Sequence, residues 1–349
     1  MRRIAILGAG IGAQHLDALL DLPGWEVAWL CDLDRARAEA VAAGRVPVTD
    51  DPEAVLADPS VAVVDVCLPP HLHFDWAVRA LEAGRHVVCE KPLVPSLAEA
   101  DALLATAART GRRLFPVFQY RYGPAMDRLR ALMGAGLTGR AYAAALETHW
   151  DRRADYYAVP WRGTWVGENG GAVLGHAIHN HDLLTTILGP VAAVQASVAT
   201  RVNAIETEDC AAVALTLASG ALATSSITLG AATDETRLRI AFERLTVESG
   251  TVPYAPAEGD WRFTARDRAD QARVDAVLAG VRPGPSGYRG FFDAVGRALD
   301  GRGDAVTAED GRASIALVAA IYASARSGRR VAVGDEGALY RGWRPGEGA

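Results

Sequence analysis

Cysteine is scarce in this sequence. The four thiols, Cys31, Cys67, Cys89 and Cys210, lie far apart and form no CxxC pair, which argues against a disulfide framework and against a structural zinc site built from cysteines. They read as reduced core thiols. Long apolar runs are missing too, since none approaches the roughly 18 residues that a membrane helix needs. The opening Met1-Arg2-Arg3 has the outline of a secretory signal, but glycines break the apolar run behind it and the polar pair Gln14-His15 follows. The expectation is a cytoplasmic enzyme with no membrane partner. Nor is there a basic excess: 36 Lys plus Arg stand against 42 Asp plus Glu, a formal net charge of −6, with the cations spread along the chain. That argues against a nucleic-acid surface or a polybasic membrane patch and points to a small-molecule partner.

What is present is a globular composition at two-domain length. Half of the 349 residues are apolar and 22% are charged, and about 150 residues per domain gives two domains. Between residues 3 and 120, apolar and β-branched runs at 3–8, 26–31, 61–68, 86–90 and 114–118 alternate with amphipathic stretches near 12–21, 34–43, 72–83 and 96–110. That rhythm predicts strand-helix-strand units and a doubly wound parallel sheet over residues 1–121. Ser96 with Glu99 has the spacing of a capping box, and Gly24, Gly44, Gly84 and Gly111 each stand just past a helical pattern.

From about residue 122 to the end the pattern changes. A helix near 124–133 precedes strand-like runs at 141–150, 192–202, 209–218, 221–229, 236–242 and 245–250, which predict a mostly antiparallel open sheet. The fold class is therefore α/β followed by α+β. Residues 251–287 have no clear period and are expected to be a long loop. The helical segments 288–299 and 307–326 are expected to cover the second sheet or to pack back on the first domain.

The first strand runs into Gly8-Ala9-Gly10-Ile11-Gly12, where bare backbone can turn tightly and bring N–H groups to a pyrophosphate at a helix N-terminus. The third glycine comes one residue earlier than in G-x-G-x-x-G. Twenty residues after Gly12, Asp32 ends the second strand, the separation expected of a carboxylate that binds an adenosine ribose. The same carboxylate repels a 2′-phosphate, so NAD is favoured over NADP, with Arg35 nearby as a softening influence. Strand 86–90 ends in Glu90-Lys91-Pro92, which directs Lys91 toward the nicotinamide and allows a cis bond before the proline.

With these segments in place, the chain resembles the Gfo/Idh/MocA oxidoreductases, the glucose-fructose oxidoreductase and inositol dehydrogenase family. The likeness rests on the glycine turn with His15, the acidic end of the second strand, Pro69-Pro70-His71-Leu72-His73, Glu90-Lys91-Pro92, Gln119-Tyr120-Arg121, Trp161-Arg162-Gly163, and Gly170-Gly171 through His179 and Asp182. It implies a Rossmann domain and a substrate domain, assembled into homodimers or homotetramers. By resemblance Lys91 and His179 face the substrate carbon, and Trp161 and Arg162 lie near the cofactor. The implied cofactor set is completed by Pro69, His71, His73, Glu90 and Gln119. The family often has Asp four residues before the histidine, where this sequence has Gly175; His176 beside it becomes the candidate for part of that acid's task.

Removing hydride from a secondary alcohol requires a base for the hydroxyl proton and a donor for the developing alkoxide. An imidazole titrating near ~6.5 suits His179 to the first role. Lys91, partly desolvated beside a positive nicotinamide, gives up its proton more readily than in water and suits the second role or a relay. Polar recognition of a polyol is expected from Arg121, Tyr122, His149, Asp151, Arg152, Tyr156, Tyr157, Asn180 and Asp182, together with Lys91, His176 and His179. The leading reading is an NAD-dependent dehydrogenase of a sugar, glycoside or cyclitol. A rival is a redox-neutral enzyme that cleaves or epimerises a glycoside through transient oxidation by tightly held NAD. A reading of another class makes His176, His179, His181 and Asp182 the ligands of a hydrolytic metal ion.

Overall fold

The computed structural model describes residues 1–334. The chain divides into two compact units, Met1–Phe118 with Tyr288–Ile315, and Gln119–Gly287 with the chain from Ala316. In the first unit the order is β1 (Arg2–Leu7), α1 (Gly12–Leu20), β2 (Trp25–Cys31), α2 (Arg35–Ala42), β3 (Val48–Thr49), α3 (Pro52–Ala57), β4 (Val63–Val66), α4 (His73–Glu82), β5 (His86–Cys89), α5 (Leu97–Thr110) and β6 (Leu114–Pro116). All six strands pair in parallel in the order β3-β2-β1-β4-β5-β6. The winding reverses between β1 and β4, and such sheets take ligands at the carboxyl ends of the strands beside that reversal.

The central strands are apolar because helices cover both faces of a parallel sheet. β4 is buried throughout, and in β5 only His86 is partly open. Asp65, in the middle of β4, is the one charged residue in that run. The expected helix ends are present. The Ser96 hydroxyl accepts the Glu99 amide at 3.2 Å and donates to the Glu99 carboxylate at 2.9 Å, and Gly24, Gly44, Gly84 and Gly111 all take positive φ. β3 and α3 carry too few residues for a period to be read from sequence. α3 nevertheless has local signals in its Asp51 cap and in Pro52 at the first turn.

The second unit follows with α6 (Pro124–Gly134), β7 (Ala141–Asp151), α7 (Trp165–Glu168), a π turn over Val173–Ala177, α8 (Ile178–Leu188), β8 (Val191–Ala199), β9 (Cys210–Leu217), β10 (Leu222–Thr228), β11 (Gly230–Phe242), β12 (Leu245–Glu248), β13 (Arg262–Ala265), α9 (Gln271–Gly280), α10 (Gly287–Leu299), α11 (Ala308–Ser327) and β14 (Val331–Ala332). Of these, α10 from Tyr288 and α11 up to Ile315 count with the first unit. The eight-stranded sheet has the order β13-β12-β11-β7-β10-β9-β8-β14, antiparallel except where β10 runs parallel to β7. Buried and exposed residues alternate along β9 and β10, so one face is covered and the other open. α8 lies on the covered face, where the Asn180 amide donates to Thr148 at 2.6 Å and the His181 imidazole bonds Ser225 at 3.0 Å.

The long loop expected over 251–287 is corrected by the structure. β13 extends the sheet there, and α9 follows it. Only Val274 of α9 is buried, so the helix has no apolar stripe from which a 3.6-residue period could be read. β11 likewise begins at Gly230, six residues before its apolar run, because its pairing with β7 is interrupted between Gly230 and Glu235.

Candidate functional site

The glycine turn joins β1 to α1 with little room to spare. Gly8 has φ +103°, and a Cβ there would stand 2.5 Å from the Cys67 carbonyl oxygen. A Cβ on Gly12 would meet the Ile6 side chain at 2.8 Å, whereas one on Gly10 would meet nothing within 4 Å. Gly8 and Gly12 are thus required by the packing of strand and helix. Gly10 leaves the backbone beside Ile11 open to a ligand. The Asp32 carboxylate at the end of β2 accepts the Ala9 amide at 2.8 Å and the Asp34 amide at 2.9 Å. This combination fits a dinucleotide, with the turn for the pyrophosphate and Asp32 for the ribose. Arg37, rather than Arg35, is the arginine beside Asp32, at 3.8 Å; Arg35 is drawn to Glu39 and Asp50.

At the end of β5 the Lys91-Pro92 bond is cis. Glu90 is buried and divides its oxygens: Oε1 accepts His15 Nε2 at 3.1 Å and Oε2 accepts the Lys91 amide at 3.0 Å. His73 is a buried clasp, its Nδ1 2.7 Å from the Pro92 carbonyl and its Nε2 2.8 Å from that of Leu68. Burial, outweighing those carbonyls, pulls His73 below the ordinary histidine range. Pro69 precedes a 3₁₀ turn over Pro70–Leu72 on which His71 is exposed. One signal about Lys91 was available in composition alone: among the 36 Lys and Arg residues it is the only lysine.

In the second unit the π turn shifts the phase of the segment leading into α8, and its histidines go to different neighbours. His179 stacks on Tyr120, with ring centroids 4.6 Å apart and planes at 23°. His176 turns its edge to Trp150 at 5.4 Å and lies 5.9 Å from Tyr156. His181 is a neutral core imidazole, which burial brings down to about 4. Asp182 is in a two-pronged ion pair with Arg121. Gln119 is buried on the 3₁₀ turn that also bears Tyr120 and Arg121, while Tyr122 follows that turn and accepts the Gly287 amide.

Tyr156, which burial pushes above the ordinary tyrosine range, lies beneath the Arg162 guanidinium at 3.9 Å, and the Trp161 ring is 5.3 Å from that guanidinium. Arg152 rests among Trp150, Tyr156 and Tyr254, 5.2 to 5.6 Å from each ring, and is paired with Asp234 at 3.1 Å. Asp151, Arg152, Arg153, Asp155 and Tyr156 line a cleft of about 420 Å³. Tyr157 packs edge-on against Tyr156. His149 departs from this company. Along β7 it alternates with buried Trp150, so its ring points to the other face and bonds Ser226 at 2.9 Å.

Sequence reasoning missed the support beneath the histidine segment. Glu208 is fully buried and accepts the Gly171 amide at 3.1 Å, the Val173 amide at 2.9 Å and the Tyr322 hydroxyl at 2.9 Å. A Cβ on Gly171 would stand 1.9 Å from the Glu208 carbonyl oxygen, and one on Gly170 2.5 Å from the Tyr322 hydroxyl. The Gly-Gly pair therefore leaves room for the Glu208 backbone and the Tyr322 phenol. Nothing near Gly171 in the sequence names Glu208, which is 37 positions away.

The metal-hydrolase reading is also corrected. Among the described residues, the one set that brings three metal-ligating atoms together is His15, Asp65 and Cys67; His176, His179, His181 and Asp182 do not gather around a point. No helix among the described residues is long and apolar enough to cross a membrane.

Two family models match the chain. One, the Gfo/Idh/MocA oxidoreductase family with an NAD-binding Rossmann fold, covers residues 2–118, and the other, the Gfo/Idh/MocA C-terminal domain, covers residues 126–248. The D-glucoside 3-dehydrogenase of Escherichia coli is 31% identical over 194 residues, 54% of each chain. The inositol 2-dehydrogenase of Mycolicibacterium smegmatis is 37% identical over 144 residues, 40% of this chain and 41% of that one. The chain spans about half the length of the curated relatives it matches. Among solved structures, the WlbA dehydrogenase from Chromobacterium violaceum in complex with NADH and UDP-GlcNAcA aligns with a TM-score of 0.82 at 30% identity, over 95% of this chain and 96% of that one.

Proposed function

The chain belongs to the Gfo/Idh/MocA family of NAD-binding oxidoreductases, and from that premise we propose that it oxidises a secondary hydroxyl of a sugar, glycoside or cyclitol, with Lys91 and His179 at the reacting carbon. One observation carries the reading. A chain that uses arginine at every other basic position keeps its single lysine at the carboxyl end of β5, where doubly wound sheets bind their ligands. Arginine is permanently charged, so it serves for ion pairs; an ammonium is a compact donor that can also lose a proton. A position that must polarise an oxygen and pass on its hydrogen is one that arginine cannot fill.

The glycine turn and Asp32 hold the dinucleotide, and bound NAD supplies the hydride acceptor. His179 accepts the hydroxyl proton, oriented by its stack on Tyr120, while Lys91 steadies the oxygen as charge builds on it. His176, Trp150, Tyr156 and Arg152 form the aromatic and cationic wall against which the ring and its hydroxyls rest. A carbohydrate substrate is supported by the names of the two dehydrogenase relatives and by the UDP-GlcNAcA in the WlbA complex. The open face of the second sheet, with a hollow of about 410 Å³ among small residues such as Ala212, Ala214, Thr224 and Ser226, supports self-association into a homodimer or homotetramer.

The test is NADH absorbance during incubation with a panel of sugars, glycosides and cyclitols. NADH equal to the oxidised product is expected, and Lys91→Ala should lower kcat by at least about 10²-fold with NAD affinity unchanged. Product formed without NADH would replace this reading with the redox-neutral cycle, and an active Lys91→Ala would remove the lysine from the chemistry.

A further inference from the structure

His15, Asp65 and Glu90 come from three separate elements, α1, β4 and the end of β5, and meet with all three side chains buried. His15 Nδ1 lies 2.8 Å from Asp65 Oδ2, and its Nε2 lies 3.1 Å from Glu90 Oε1. A neutral imidazole has one N–H, so it can satisfy only one of two ionised carboxylates; to donate from both nitrogens it must carry both protons. Two aromatic rings pack against the imidazole, Tyr288 at 4.6 Å and tilted by 48°, and Phe292 at 5.4 Å in a T-shaped arrangement. The Cys67 sulfur is 3.3 Å from Nδ1, and burial pushes that thiol far above its ordinary value, so it stays protonated. Burial opposes charge on His15, but Asp65 and Cys67 together more than offset it and raise the imidazole well above its ordinary range.

We propose that His15 and Asp65 are positioning residues for Lys91, acting through Glu90 as a buried clamp in which one imidazolium is gripped by two carboxylates. The far oxygen of Glu90 then has a fixed place from which to hold the Lys91 amide. The chain of contacts is Asp65 to His15, His15 to Glu90, and Glu90 to the backbone of the residue whose amine does the work. Asp65 thus accounts for a charge in the middle of a strand that is otherwise apolar. The inference rests on the catalytic reading of Lys91 for its purpose, but not for its existence. The groups that face the imidazole are Asp65, Glu90, Cys67 and Tyr288.

Because Lys91 is the only lysine, protein labelled with ¹⁵N-lysine yields one backbone amide resonance, that of Lys91. In the wild type the side-chain ¹⁵N shifts of His15 should report a ring that stays doubly protonated through and beyond the ordinary histidine range, and the Lys91 amide should not move over that range. In Asp65→Asn the ring should titrate between about pH 5 and pH 8, and the Lys91 amide should move with it. Glu90→Gln provides a second route, since it should lower the His15 titration while leaving Asp65 in place. A neutral His15 in the wild type overturns the clamp. So does a titrating His15 in Asp65→Asn with a Lys91 amide that stays still, as a purely structural role for the trio would give. None of these measurements uses turnover, so a failed clamp is distinguishable from a failed Lys91→Ala result, which bears on the catalytic reading alone.

Discussion

Arg121 and Asp182 grip each other in a fork, Nε to Oδ2 at 2.8 Å and Nη2 to Oδ1 at 2.5 Å. Both stood out in the sequence as substrate contacts. Their pairing ties the 3₁₀ turn carrying Tyr120 to the helix carrying His179, so it supports the Tyr120–His179 stack. Side-chain exposures of 13% and 2% put the pair largely out of water.

Removing one partner of such a pair leaves the other charge poorly compensated. Asp182→Ala is therefore expected to cost about 3 kcal/mol in urea unfolding, and Arg121→Lys should fail to preserve wild-type stability because an ammonium cannot reproduce the fork. Wild-type midpoints for both variants would show that the fork is dispensable.

The Gly-Gly pair supports a second prediction. Gly171→Ala drives a methyl group into the backbone of Glu208, where no flexible side chain can yield. The expected result is a loss of more than about 3 kcal/mol, or insoluble protein. Gly134→Ala, at a helical position open for 4 Å around the new atom, should be neutral or slightly stabilising. Comparable melting temperatures for the two variants would contradict this.

These two cases mark what the sequence made legible. The alternating rhythm, the capping box and the positive-φ glycines are local signals, and the doubly wound sheet follows from them. The glycine turn with Asp32 is a spacing signal of about 20 residues and is equally readable. Glu208 and Tyr322 are joined to Gly171 only by the fold, and Asp65 meets His15 across 50 positions, so no period or motif announces them. His149 illustrates the opposite error. Its neighbours in the sequence made it a site candidate, but alternation along β7 turns it to the other face. α9 was hidden because a surface helix with one buried residue has no periodicity to detect.

The choice of cofactor gives a third prediction. Asp32 holds the Ala9 amide with one oxygen and the Asp34 amide with the other, which fixes the carboxylate in the orientation proposed to receive a ribose. Asp32→Ser should weaken NAD binding about tenfold and narrow the preference over NADP, with Arg37 then available to a 2′-phosphate. Isothermal titration with each cofactor measures both effects. Unchanged NAD affinity would mean that the ribose is held elsewhere.

Glu208 offers the sharpest link between protonation and folding. Burial raises its carboxyl from an ordinary 4.5 to about 7, against the opposing pull of the Val173 and Gly171 amides and the Tyr322 hydroxyl. An acid whose value is higher in the folded chain binds its proton more tightly there. The stability it contributes is fully present below pH 4.5 and is lost as pH rises through about 7. The span corresponds to something on the order of 3 kcal/mol. Glu208→Gln removes the titration but keeps the shape. Its amide nitrogen must face one of the backbone N–H groups that the carboxylate accepted, so a fixed cost independent of pH is added. Urea midpoints of the two proteins at pH 5, 6, 7 and 8 separate these effects, because every other titrating group cancels in the difference. The wild type should lose ground relative to Glu208→Gln as pH rises from 5 to 8. A difference that stays constant over that range would mean that Glu208 is ionised throughout and that the amides of the Gly171–Val173 turn, rather than a proton, balance its charge.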